Sequence, residues 1–119
     1  MIFGIGTDIA AVARLGRLYE RHQERALEKL LAASEMSAFS SAQDPARFLA
    51  KRFAAKEALG KALGIGVAAP ATLPNIAITH NALGKPTFDY APELARYLNE
   101  RGLVAHLSIS DEADYAVAF

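Results

Sequence analysis

The sequence predicts an α+β domain in which a largely antiparallel sheet packs against one long helix. Three observations predict it. The stretch "DPARFLAKRFAAKEALGKALGIG" carries the strongest helix signals in the chain. The runs "NIAITHN", "KPTFDY", "LVAHLSIS" and "DYAVAF" are short, apolar and separated by brief turn-rich connections, so they read as strands that pair antiparallel. The 119 residues, 52% apolar and 22% charged, suffice for one packed domain spanning 1–119 and are too few for two ordinary ones.

In chain order, Ile2 to Ile9 is expected to form the first strand, an apolar stretch with the carboxylate of Asp8 inside it. "AAVARLGRLYERHQERALEKLL" then has helical periodicity. Leu15, Tyr19, His22, Ala26 and Leu30 line one side, and a break is expected near Arg25. Ser34 is read as the N-cap of a short helix through Phe39. Asp44 at the N-cap and Pro45 at the first helical position start the long helix. Phe48, Leu49, Phe53, Leu59, Ala62 and Leu63 give it a wide apolar face, and Gly64 stops it. "VAAPATLP" is a loop, "ALGK" a turn, and "APELARYLNERG" a further helix ending at Gly102. "DEA" connects a closing hairpin, which completes the order β-α-α-β-β-α-β-β.

The totals exclude several functions. Thirteen Lys and Arg against thirteen Asp and Glu give no net charge, which argues against a generic nucleic-acid binder. Without cysteine there is neither a disulfide framework nor a thiolate metal site. No apolar run reaches membrane-spanning length. "MIFGIGTDI" lacks a basic lead-in and a cleavage pattern, so no signal peptide is expected and the cytoplasm is the default location.

A carboxylate at the end of an apolar strand is expensive unless something compensates it. Asp8 either caps the following helix, faces water, or binds a metal with a second carboxylate. Glu57, near the edge of the long helix's apolar face, is the best second carboxylate. Its plainer reading is an i,i+4 pair with Lys61. Together Asp8 and Glu57 would make an open, hard-oxygen site suited to Mg²⁺. Arg52, Lys56 and Lys61 read as a cationic helix face, either simply solvated or neutralising a phosphate that approaches the backbone of Gly64 and Gly66. "NALGKP" is a hairpin turn from which Lys85 projects. His106, Ser108 and Ser110 share one face of a strand. Arg14, Arg17, Arg21 and Arg25 form a stripe with Leu18 beside it. It is either an ordinary salt-bridged face or a docking surface for an acidic partner.

In this order, "GIGTDI", "RFAAKEALGKALG", "N-x-x-GKP" and "H-x-S-x-S" before "YAVA" resemble the holo-[acyl-carrier-protein] synthases, the small bacterial type of 4′-phosphopantetheinyl transferase. The resemblance spans nearly the whole chain and implies that family's fold. It implies that Asp8 and Glu57 bind Mg²⁺ on the pyrophosphate of coenzyme A. Glu57 would activate the acceptor serine, and Lys61 would steady charge on the phosphates. The reaction implied moves 4′-phosphopantetheine from coenzyme A to a serine of apo acyl carrier protein, in support of fatty acid biosynthesis. Arg52, Asn81, Gly84, Lys85, Pro86 and His106 would line the nucleotide site, with Gly64 and Gly66 close by. Arg14, Leu18, Arg21 and Arg25 would dock the acidic carrier. A homotrimer with active sites at subunit interfaces is also implied.

Two positions depart from the commoner family pattern: Ile65 stands where many members have Thr, and Asp111 where many have His. The rival reading is a non-catalytic coenzyme A-binding oligomer. Retention of Asp8, Glu57 and Lys61 together argues against it.

Overall fold

A computed structural model describes residues Met1–Phe119. The first strand, β1 (Asp8–Ala11), is shorter than Ile2–Ile9 and lies further along the chain. It pairs antiparallel with β5 (Tyr115–Ala118), with Asp8 opposite Ala118. In that register Thr7 already sits at the end of the ladder, and its hydroxyl donates to the Ala118 carbonyl at 3.1 Å. Residues before it face no strand of the same chain, so their apolar pattern forms no ladder.

Two helices follow, α1 (Val12–His22) and α2 (Glu24–Leu30), with the break expected near Arg25 falling at Gln23. Gln23 has φ 48°, and its N–H closes the first helix onto the Tyr19 carbonyl. The break resets the helical phase. Leu15, Ala26 and Leu30 are buried as expected, His22 is exposed, and Leu27 enters the core instead. Ser34 makes no cap. A 3-10 turn at Ala33–Glu35 leads into α3 (Met36–Ser40), and the Glu35 carboxylate accepts the Ala32 N–H at 2.9 Å.

The long helix α4 (Pro45–Leu63) begins and ends where the sequence places it. Asp44 accepts the Arg47 N–H at 3.1 Å, and Gly64 closes the helix at φ 80°, a conformation open to glycine. Leu49, Leu59 and Leu63 are buried, while Phe48, Phe53 and Ala62 lie at the margin. Ala50, Ala54, Ala55 and Ala58 let neighbouring elements approach closely, so α4 packs on α1 and on the β1–β5 pair.

Beyond it, β2 (Ile76–His80) and β3 (Pro86–Tyr90) form an antiparallel ribbon, followed by α5 (Pro92–Glu100). The last hairpin joins β4 (Ile109–Asp111) to β5. The expected strand "LVAHLSIS" contracts to its end, although Ser108 and Phe119 still exchange both backbone hydrogen bonds. The class is α+β and all pairing is antiparallel, divided into a three-stranded sheet, β1-β5-β4, and the separate β2-β3 ribbon.

Candidate active site

Asp8 enters the site because the segment before it is pressed onto α4. A Cβ on Gly4 would lie 2.2 Å from the Ala62 carbonyl oxygen, and one on Gly6 would lie 1.9 Å from that of Ala58. Only glycine permits that approach. It brings β1 alongside the helix turn that carries Glu57 and Lys61.

Lys61 Nζ donates to Asp8 Oδ1 and to the Thr7 carbonyl, both at 3.0 Å. Asp8 Oδ2 is buried and accepts no hydrogen bond. Glu57 is half-buried, and its pKa is raised, first by burial and then by the negative charge of Asp8; Lys61 and Arg14 pull the other way. Asp8, Glu57, Lys61 and Arg14 therefore converge electrostatically. The reading of Asp8 as a helix cap fails: α1 takes Ala11 at its N-cap with no side-chain bond.

The donor set fits Mg²⁺. A buried carboxylate oxygen without a partner, beside a second carboxylate, is an incomplete oxygen shell. No group of three His, Asp or Glu side chains is placed to hold a metal alone. Mg²⁺ suits such a site, since it commonly takes one or two carboxylates and completes its shell with water and substrate phosphates.

Residues 4–119 match the family described as the 4′-phosphopantetheinyl transferase superfamily. The chain belongs to that superfamily. A holo-[acyl-carrier-protein] synthase of Dechloromonas aromatica is 62% identical over 119 residues, covering 100% of this chain and 95% of the relative. The crystal structure of the holo-[acyl-carrier-protein] synthase from Neisseria meningitidis superposes with a TM-score of 0.95 at 44% identity, covering 99% of this chain and 95% of that one. That of Bacillus anthracis, in complex with CoA (3′,5′-ADP), superposes at 0.83 with 31% identity, covering 99% and 93%. The α+β transferase fold and the enzyme class implied by the motifs are thereby borne out.

A second group of expected residues meets at a cleft of about 320 Å³ that Lys85, Pro86, Phe88, Tyr90 and His106 help to line. The turn before it is built as the sequence predicts. Asn81 Oδ1 accepts the N–H groups of Leu83 and Lys85 at 2.9 and 3.0 Å, and Gly84 turns at φ 83°. Asn81 thus shapes the turn from which Lys85 projects. His106, Ser108 and Ser110 are all exposed while Leu107 is buried, so the alternation survives outside the strand.

Other expectations are corrected. Gly64 N–H donates to the Lys61 carbonyl and Gly66 N–H to that of Gly60, so neither is free to bind a phosphate. Both glycines do leave the outer side of the loop open. Arg52 and Lys56 are not on a solvated face. Both are buried, and both hold Glu35. Spacing could have signalled Lys56, which sits seven residues after Leu49 and seven before Leu63, on the core stripe. Ile65 packs against the core. Asp111 pairs with Arg47 at 3.1 Å and Lys51 at 3.8 Å, fastening the last hairpin to the start of α4.

Arg14, Arg17, Leu18, Arg21 and Arg25 are all exposed along α1 and α2. Arg14 alone of the stripe borders the carboxylates, with its guanidinium over the Phe53 ring at 5.5 Å from the centroid.

Proposed function

We propose that this enzyme transfers 4′-phosphopantetheine from coenzyme A to a serine hydroxyl of apo acyl carrier protein, with Mg²⁺ held by Asp8 and Glu57. The observation that carries the reading is the buried, unpartnered Oδ2 of Asp8 beside Glu57 and Lys61. The crystallised relative with bound CoA (3′,5′-ADP) supports the donor, and the names of the relatives support the acceptor.

In the proposed reaction the serine oxygen bonds to the phosphorus nearer pantetheine. The bridge of the pyrophosphate breaks, and adenosine 3′,5′-bisphosphate leaves with the bridging oxygen. Such transfers depend on placement and charge neutralisation more than on covalent help. Mg²⁺ bound at the carboxylates supplies charge neutralisation and polarises phosphoryl oxygen. Glu57 takes the serine proton. Lys61, half-exposed and anchored to Asp8, places its positive charge where the leaving phosphate develops negative charge. Lys85, Pro86 and His106 hold the nucleotide part, helped by Arg52 and the turn of Asn81 and Gly84. The outer side of the Gly64–Gly66 loop lies against the phosphates.

Arg14, Leu18, Arg21 and Arg25 dock the acidic carrier. A homotrimer with active sites between subunits completes the reading. Its support is the exposed sheet face of Ile9, Tyr115 and Val117, together with the exposure of Ile2, Phe3 and Ile5. The biological setting is fatty acid biosynthesis in the cytoplasm.

The test is the intact mass of apo acyl carrier protein after incubation with this chain, coenzyme A and Mg²⁺, with an EDTA control. A metal-dependent gain of one phosphopantetheine group supports the reading; no gain from folded enzyme refutes it. Glu57→Ala is expected to abolish the gain while the protein still folds, and near-normal turnover in that variant would refute the metal assignment.

A further inference from the structure

Two cations and one carboxylate lie deep in the core and bond neither Asp8 nor Glu57. Lys56 is fully buried, and Glu35 and Arg52 nearly so. Each Glu35 oxygen takes two donors. Oε1 accepts from Lys56 Nζ and Ala32 N–H, and Oε2 accepts from Arg52 Nη1 at 2.7 Å and Ile78 N–H at 3.0 Å. Lys56 Nζ also donates to the carbonyls of Leu30 at 2.7 Å and Leu73 at 3.0 Å. Lys56 and Glu35 are thus saturated.

Arg52 is not. Its Nη1 is tied to Glu35 and to the Ile78 carbonyl, and its flat face rests on Phe48, 4.2 Å from the ring centroid. Its Nε and Nη2 have no hydrogen-bond partner in the chain, and neither is completely sealed from solvent. The guanidinium is gripped at one corner and one face, with its remaining N–H edge left unpaired. Its positive charge and that of Lys51 both bear on His80, the last residue of β2, next to the turn of Asn81 and Lys85.

Burial of such a cluster is a poor source of stability, because apolar residues of similar volume commonly do as well or better. What the cluster does provide is a fixed position for the free edge of Arg52. A planar guanidinium held in this way is suited to a phosphate, since little of its freedom remains to be lost on binding.

We propose that Glu35 is a positioning residue for the enzyme's nucleotide donor, acting through Arg52 by holding its free N–H edge toward an anionic phosphate. This rests on the reading that the enzyme binds coenzyme A.

The probe is adenosine 3′,5′-bisphosphate, titrated calorimetrically at fixed salt into wild type, Glu35→Gln, Arg52→Gln and the double variant. Glu35→Gln is expected to weaken binding about tenfold, comparable to losing the partner that orients a ligating side chain. The Michaelis constant for the carrier protein should stay unchanged. In the double variant, binding should be no weaker than in Arg52→Gln alone, because Glu35 acts through Arg52. Losses that multiply would overturn the proposal, as would wild-type affinity in folded Glu35→Gln. Should Glu35→Gln fail to fold, Glu35→Asp keeps the charge but withdraws it from Arg52, and unchanged affinity there overturns the proposal equally. Lys56→Met leaves the Glu35–Arg52 bond in place and is expected to lower stability with affinity kept. An equal loss of affinity in that variant would show general loosening instead and sink the idea. Wild type that binds neither coenzyme A nor the bisphosphate would refute the functional reading itself, whereas normal wild-type binding with unaffected Glu35 variants refutes only the positioning role.

Discussion

Lys61 Nζ lies 3.0 Å from Asp8 Oδ1, while Oδ2 of the same carboxylate is buried and bonds to nothing. Half of the charge is thus compensated by the chain and half is not. Leaving a charged oxygen dry costs stability in the free protein. Function and stability are therefore expected to oppose one another at Asp8.

Asp8→Asn tests that opposition. The amide removes the unpaired charge and relieves the repulsion that raises the pKa of Glu57. The exposed half of the Lys61 pair is worth little, so its loss does not reverse the sign. We expect the metal-free variant to melt a few degrees higher than wild type, corresponding to about 1 kcal/mol. Transfer should fall about 100-fold or more. A lowered melting temperature, read by calorimetry in EDTA, would mean that Asp8 is a structural residue.

Gly6→Ala tests how Asp8 is delivered. The new Cβ would meet the Ala58 carbonyl at 1.9 Å, and helix backbone cannot give way as a flexible side chain would. The segment must lift off α4, taking Asp8 with it. Overpacking of this kind costs about 1–3 kcal/mol. We expect a lower melting temperature together with a larger loss of turnover than of coenzyme A affinity, since Lys85 and Pro86, proposed to hold the nucleotide, stand on the separate β2-β3 ribbon. Unchanged turnover would show that the Gly6 contact does not set the position of Asp8.

Much of this was legible in the sequence, for physical reasons that differ by residue. Asp44, Pro45 and Gly64 act locally, so α4 begins and ends where they stand. Asn81 and Gly84 act locally too, and the turn they predict is the turn observed. Asp8, Glu57 and Lys61 carried the site through their motifs, and the structure brings them into one electrostatic group. What escaped depends on contacts between distant segments. The apolar run at Ile2–Ile5 looks like a strand, but its partner must be another backbone, and here the segment lies against a helix. The helix break expected near Arg25 falls at Gln23, with no glycine or proline to fix its position. Glu35 joins Arg52 and Lys56 across 17 and 21 residues, so no local pattern could pair them.

The burial of Lys56 predicts an alkaline signature. Its pKa is lowered from 10.5 to about 8, first by burial, with Glu35 opposing that shift. Between those values the unfolded chain holds the proton more firmly than the folded one. The contribution of Lys56 to stability therefore rises with pH across that window; below about 8 both states are protonated and the cost of the buried charge is fully present. Lys56→Met removes this dependence. The stability difference, wild type minus variant, measured by denaturant unfolding, is expected to grow from pH 8 to pH 10.5 by on the order of 3 kcal/mol. A flat difference would place the Lys56 proton outside that window.

The stripe on the first two helices yields the last prediction, and Arg14 and Arg21 separate its two roles. Both are exposed and cationic, so replacing either with Ala should weaken binding of an acidic carrier, more at low salt than at high, with coenzyme A affinity nearly unchanged. Only Arg14 also acts on the site. Its charge is among those that lower the pKa of Glu57 against burial and Asp8, whereas Arg21 is not among them. Arg14→Ala should therefore raise the Glu57 pKa and move the acid limb of kcat/KM toward higher pH, since the carboxylate would then bind its proton more tightly. Arg21→Ala should leave that limb in place while losing carrier affinity to a similar degree. Steady-state kinetics against pH, with the carrier varied, measures both effects. Coenzyme A affinity lost in step with carrier affinity would remove the docking role, and an unmoved acid limb in Arg14→Ala would remove the electrostatic one.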